Sequence, residues 1–218
     1  GYQSFVNAIG KRKNMFAENL IAKMKSIQDD FIQRQSAILM TNGQVNVISH
    51  GDLWVANMMF KYDEQTNKPI DVIFLDFQIA TYTSPGIDIN YFLNTSLQSI
   101  VFQNQRDQLI EVYYEAFYSI LHDADYENIP TFDDILNEIK AKEFHGFLSC
   151  CVLLPLMCRE DVAERKMEGD QINSLVDEKQ SAKIRELAYS DNFFNRIKYQ
   201  LERFYELNIF DFFVFNSM

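Results

Sequence analysis

Asp52, Asn57 and Asp76 are the residues whose types and spacing could do chemistry on a phosphate. Asp52 sits in His50-Gly51-Asp52, with Asn57 five positions later, and Asp76 opens Asp76-Phe77-Gln78. Phosphoryl transfer from a nucleotide leaves a protein little covalent work. The acceptor hydroxyl must be positioned, a metal ion held, and charge on the moving group offset. Asp52 suits the acceptor side, as a carboxylate that orients the hydroxyl and takes its proton. Asn57 and Asp76 suit the metal side, because Mg²⁺ prefers hard oxygen ligands. His50 is better placed to brace the loop, and its nearness to Asp52 keeps a general-base role open. Either half of the pattern alone reads as an ordinary turn or strand end; both halves in order favour the phosphotransferase-type site.

Positioning these groups needs rigid elements that end beside open loops. The apolar run Val45 to Ile48 leads into His50-Gly51-Asp52, and Val72 to Leu75 delivers Asp76. Between them, Lys61 to Lys68 is polar and turn-rich, which predicts an antiparallel pair with a hairpin longer than two residues. That pairing brings Asn57 and Asp76 together at its outer ends, as a shared metal ion requires.

Around this β element the pattern is helical. Phe16, Leu20, Met24, Ile27, Phe31 and Ile38 predict one amphipathic helix over 14–40, stopped at Gly43, whereas residues 1–12 are only loosely patterned. After the break at Ser84-Pro85-Gly86, residues 88–97 read as a buried helix. Residues 106–121 read as a helix with Leu109, Val112, Tyr113, Ala116, Phe117 and Ile120 on one face. Thr131 with Asp134 is a capping-box variant opening a helix through Ile139. Residues 147–157 are apolar nearly all round, predicting a buried helix that Pro155 kinks or shortens. Residues 160–180 read as a mobile loop and 182–207 as helical with a break near Ser190. The end, Ile209 to Phe215, is apolar enough to dock. The fold class expected is α+β, mainly helical, with a small antiparallel β element.

The chain has 218 residues, suited to one sizeable domain or one lobe of a larger assembly. With 47% apolar residues, including 19 Phe and 11 Tyr, it has ample core material. A net charge of −11 disfavours broad nucleic-acid or anionic-membrane binding, which need a basic surface. No apolar run reaches the ~18 residues of a membrane span. Cys150, Cys151 and Cys158 cluster in one apolar stretch without zinc spacing, as buried thiols in a reducing, cytoplasmic setting do. Gly1 in place of Met fits a processed or partial chain.

The segment from His50 to Phe60, with Phe74 to Gln78 and Ser84 to Leu93, resembles the ecdysteroid kinase-like family, a choline/aminoglycoside kinase-like group. In that family Gln follows Asp-Phe, as Gln78 does here. The match is dense over about fifty residues and rests on helix layout on either side. The resemblance implies the C-terminal lobe of a protein-kinase-like (aminoglycoside phosphotransferase type) fold. It implies Asp52 as the catalytic aspartate and Asn57 and Asp76 as ligands of Mg²⁺ and its ATP. Asp88 would hydrogen-bond the catalytic loop from a helix start, though an ordinary cap suits it equally. The acceptor would be a hydroxyl of a small molecule, an ecdysteroid or another apolar alcohol, in a pocket formed by the helices after Tyr91.

The resemblance covers the C-terminal lobe alone, over residues 1–218. Nothing before Val45 supplies the phosphate-covering glycine loop or the strand lysine of the N-terminal lobe; Lys11, Lys13, Lys23 and Lys25 lie in the loose start or on a helix. An ATP-dependent small-molecule phosphotransferase whose N-terminal lobe is missing is therefore the first expectation. A non-catalytic small-molecule-binding or interaction module derived from one is the alternative.

Overall fold

The computed structural model describes residues 1–157 and 188–211. It is mostly helical with a small antiparallel β element. Two compact units partition the chain, Gly1–Ser36 with Phe147–Met218 and Ala37–Gly146. The predicted loop at 160–180, Cys158 and the last residues of the apolar end lie outside the described residues.

The unit of Ala37–Gly146 carries the β element. Strand β1 (Val47–Ser49) pairs antiparallel with β4 (Thr81–Thr83), Val47 opposite Thr83 and Ser49 opposite Thr81. Strand β2 (Met58–Tyr62) pairs antiparallel with β3 (Pro69–Phe74), Met58 opposite Phe74, through the long polar turn that its composition predicts. Asp63 organises that turn by accepting from the backbone N–H of Thr66 at 2.8 Å and of Gln65 at 3.2 Å. Both faces of this ribbon stay open, with Met59 on one and Phe74 on the other exposed.

Helix α4 (Gly86–Thr95) is buried on nearly every side. Its polar residues survive there because they bond backbone: Asn90 donates to the carbonyls of Gly86 and Ile139, and Thr95 to that of Tyr91. A Cβ on Gly86 would stand 2.3 Å from the Glu138 carbonyl, so α4 and α6 (Phe132–Ala141) meet where only glycine fits. Thr131 and Asp134 form the full capping box of α6. Ile89, Leu93, Phe102, Ile110, Ile135 and Ile139 make one core cluster with α5 (Ser99–Asp123). The single apolar face expected for α5 is not closed: Val112 is 54% and Ile120 69% exposed. The helix packs through Phe102 and Ile110 and runs beyond the layer that covers it.

In α7 (Glu143–Leu148), His145 is buried with its ring 5.8 Å from that of Tyr91. Burial, aided by the Lys142 charge, lowers its imidazole from 6.5 to about 4. The unfolded chain therefore takes a proton near pH 6.5 that the folded chain refuses until about pH 4. Stability from this group is complete above 6.5 and declines as pH falls toward 4, by on the order of 3 kcal/mol. Urea midpoints between pH 7 and 4 should show this acid limb, and His145→Gln should flatten it. An unchanged slope in the variant would assign the limb to other groups.

The other unit is helical. Residues 1–12, expected to be loosely patterned, instead contain α1 (Tyr2–Gly10), which buries Tyr2, Phe5, Val6 and Ile9. Those four stand at i, i+3, i+4 and i+7, one helical face. The single helix expected over 14–40 is two, α2 (Glu18–Ser26) and α3 (Phe31–Met40), separated by a turn at 27–30. Tyr2 ties the ends together, donating to the Met24 carbonyl at 2.8 Å and stacking on Phe31 with ring centroids 3.8 Å apart.

The uninterrupted helix expected over 147–157 also breaks, into a π-helical turn (Ser149–Leu153) and α8 (Leu154–Met157). Pro155 has no N–H for the Cys151 carbonyl one turn back, and the Tyr189 hydroxyl donates to that carbonyl at 3.1 Å. Helix α9 (Asp191–Glu206) begins at Ser190, whose hydroxyl accepts from the Phe193 N–H, so the expected break is a helix start. Arg12 donates to Asp191 and to the Tyr189 carbonyl and lies 4.4 Å over the Phe194 ring. Among the described residues no helix is long and apolar enough to cross a membrane.

Candidate active site

The loop from His50 to Asn57 leaves β1 and enters β2 through a 3-10 turn at Val55–Asn57. Its first residue is fixed by chemistry on every side. The Leu75 carbonyl can only accept, so the His50 Nε2, 2.7 Å away, carries the proton. Nδ1 is then the acceptor that the Asp52 N–H reaches at 3.3 Å. Both ring nitrogens are engaged and the side chain is 5% exposed, an arrangement that suits bracing the loop better than acting as a base. Its ring packs 4.6 Å from that of Phe77.

Gly51 follows with φ +85, and a Cβ there would lie 2.7 Å from the Ile79 carbonyl oxygen. Strain and clash act together, so Gly51→Ala should cost roughly 1–3 kcal/mol in urea unfolding. A loss under a few tenths would mean the loop relaxes around the methyl.

Helix α4 holds the loop at three points. Asp88 accepts from the His50 N–H at 2.5 Å and the Gly51 N–H at 2.9 Å, reaching across to the loop. Burial pushes its carboxyl above the usual range while those two donors pull against it. The Tyr91 hydroxyl donates to Asp52 Oδ1 at 2.7 Å, and burial followed by the Asp52 contact raises its pKa, keeping it a donor. Ser96 Oγ accepts from the Val55 N–H at 3.0 Å. Tyr91 and Ser96 carried no role in the sequence reading. The signal for Tyr91 was its spacing, three residues after Asp88 and thus on the same helical face.

Asp52 Oδ2 accepts from Asn57 Nδ2 at 2.9 Å, and the same nitrogen also reaches the Asp52 carbonyl. The Asp52 carboxylate is therefore set by two donors, one on each oxygen, while remaining half-exposed. Asn57 and Leu75 face one another in the ladder, with the Leu75 N–H donating to the Asn57 carbonyl at 2.9 Å. Asp76 comes next, exposed, at φ +66, with Oδ2 accepting from Gln78 at 3.3 Å. A left-handed residue without glycine is uncommon, and Asp and Asn tolerate it best. All of the sequence-predicted site residues, His50, Asp52, Asn57, Asp76 and Asp88, belong to this one unit.

The donor set suits Mg²⁺. Asn57 spends its amide nitrogen on Asp52, which leaves Oδ1 as the atom that could meet a cation, and Asp76 presents an exposed carboxylate. Mg²⁺ takes one or two such protein oxygens and fills its shell with water and phosphate. Among the described residues no cluster of three or more His, Cys, Asp or Glu could hold a metal by itself.

The sequence model of the ecdysteroid kinase-like family matches residues 1–126, more than half of the chain and all of the loop above. The chain belongs to the ecdysteroid kinase-like family. Membership supports, at a coarse level, a kinase-like phosphotransferase of small molecules. Searches of curated proteins and of solved structures gave no match.

Proposed function

We propose that this ecdysteroid kinase-like chain is the C-terminal, catalytic lobe of an ATP- and Mg²⁺-dependent phosphotransferase. Its acceptor is the hydroxyl of a small apolar molecule, an ecdysteroid-like or other apolar alcohol. The observation that carries the reading is the Asp52 carboxylate, held by Tyr91 and Asn57 beside the ladder that delivers Asp76. Asp52 orients the acceptor hydroxyl and receives its proton as that oxygen bonds the γ-phosphorus and the bond from phosphorus to the β,γ-bridging oxygen breaks, ADP leaving with the bonding pair. Asn57 and Asp76 would hold Mg²⁺, which when bound would offset charge on the nucleotide phosphates. Asp88 keeps the loop's backbone N–H groups turned inward, so that Asp52 faces out. His50 positions the turn. The buried free thiols of Cys150 and Cys151 suit a reducing, cytoplasmic setting.

The test is a calorimetric titration of the 218-residue chain with Mg²⁺ and a non-hydrolysable ATP analogue. Saturable binding that requires Mg²⁺ supports the reading. Absence of binding in a folded sample means either that the site needs its N-terminal lobe or that the competing reading holds, a lobe that binds a small molecule or partner without turnover.

A further inference from the structure

Behind the catalytic loop, within the same unit, lies a cavity of about 510 Å³. Ile48 of β1, Phe77, Phe92 of α4 and Leu109 of α5 are among its walls. His50 and Asp88 also border it, whereas Asp52, Asn57, Asp76 and Tyr91 do not. The cavity thus shares a wall with the loop and none of the groups assigned to phosphoryl transfer. Cavities of roughly 300–1,000 Å³ with apolar walls and a few convergent polar groups are the usual size and character of small-molecule sites.

Its polar groups define the chemistry of an occupant. The Asp88 carboxylate already takes two backbone N–H groups, and each oxygen has a further lone pair. Burial first, and the Asp88 charge second, push the neighbouring Tyr113 hydroxyl up to about 12, so it is present as a neutral hydroxyl. Among the described residues no lysine or arginine lines the space. An anion would meet Asp88 without compensation, and a full charge of either sign would lose its hydration against apolar walls. We propose that this cavity binds an uncharged, largely apolar small molecule that carries one hydrogen-bond donor, aimed at Asp88 and Tyr113. Asp52, Asn57 and Asp76 do not line it and its occupancy needs no nucleotide, so the proposal stands independently of the phosphotransferase reading. Because His50 and Asp88 form part of its wall, its occupant touches the supports of the catalytic loop rather than its reacting groups.

N-phenyl-1-naphthylamine fits this description, being uncharged, aromatic and equipped with a single N–H. Its fluorescence should rise saturably to one dye per chain. A Leu109→Phe/Val112→Phe variant, which fills the cavity from α5, should weaken binding at least 10-fold with unchanged circular dichroism and urea midpoint. Asp52→Asn and Asp76→Ala should bind the dye as the wild type does. Equal binding by the filled variant, or loss of binding in folded Asp52→Asn, overturns the proposal. A second measurement needs no variant. In methyl-labelled wild-type protein, the dye should shift Ile89, Leu93 and Ile110. Shifts confined to Ile70 and Ile73 on the exposed hairpin, or no saturable binding at all, overturn it equally.

Discussion

With an N-terminal lobe supplied, Asp52→Asn is expected to slow phosphoryl transfer by about 10²–10⁴-fold, the range that general-base catalysis contributes. Tyr91 and Asn57 both donate to this carboxylate. An asparagine can accept from one of them through its oxygen but turns an N–H₂ toward the other. The variant thus loses the proton acceptor and also its alignment. Binding of Mg²⁺ and nucleotide, which the proposed function assigns to Asn57 and Asp76, should stay within a factor of a few. Single-turnover rates set against calorimetric affinities separate the two effects. A variant that keeps turnover would remove Asp52 from the base role. Tyr91→Phe then serves as a graded companion, because it deletes one aligning bond and leaves the base in place.

The second large effect is on nucleotide affinity. Asp76→Ala should weaken Mg²⁺-dependent binding of the ATP analogue by about 100-fold or more, since losing even an outer partner of a metal ligand costs 10–100-fold. Position 76 lies at φ +66, so alanine also brings backbone strain of about 1–2 kcal/mol. Asp76→Asn removes the charge at a position where asparagine tolerates the left-handed region. If both variants lose affinity alike, the carboxylate is responsible. If only alanine does, the turn is responsible and the ligand assignment fails.

The β element and the placement of Asp52, Asn57 and Asp76 around it were legible because their signals are local. Apolar runs, a polar turn and fixed spacings in the chain place Asp52, Asn57 and Asp76 with no need for long-range information. The capping box at Thr131 was legible for the same reason. The helices were less so. Phe16, Leu20, Met24, Ile27 and Phe31 are all buried as their periodicity requires, yet the helix stops at Ser26 and restarts only at Phe31. The core-facing spacing continues through the turn and hides it. Asp29-Asp30, a helix-start signal just before Phe31, was the competing evidence. Residues 1–12 were misjudged because nine residues hold barely two repeats of a face, and α1 owes its stability to packing of Tyr2 and Phe5. Tyr91 escaped notice because an aromatic in an apolar helix reads as core. Only the fold shows its hydroxyl meeting Asp52 across 39 positions of chain.

The three-residue ladder between β1 and β4 has a kinetic meaning. It is the clasp of a loop of roughly thirty residues that contains His50, Asp52, Asn57 and Asp76 together. Closing a flexible loop of that length costs about 3 kcal/mol, and few ladder bonds repay it. The closing bonds are supplemented from α4, chiefly by Asp88. The loop is accordingly poised to open as one cooperative piece while α4, α5 and α6 stay folded. Its amides should exchange with deuterium together and earlier than those of α4, through an excursion in which all four residues leave the site at once.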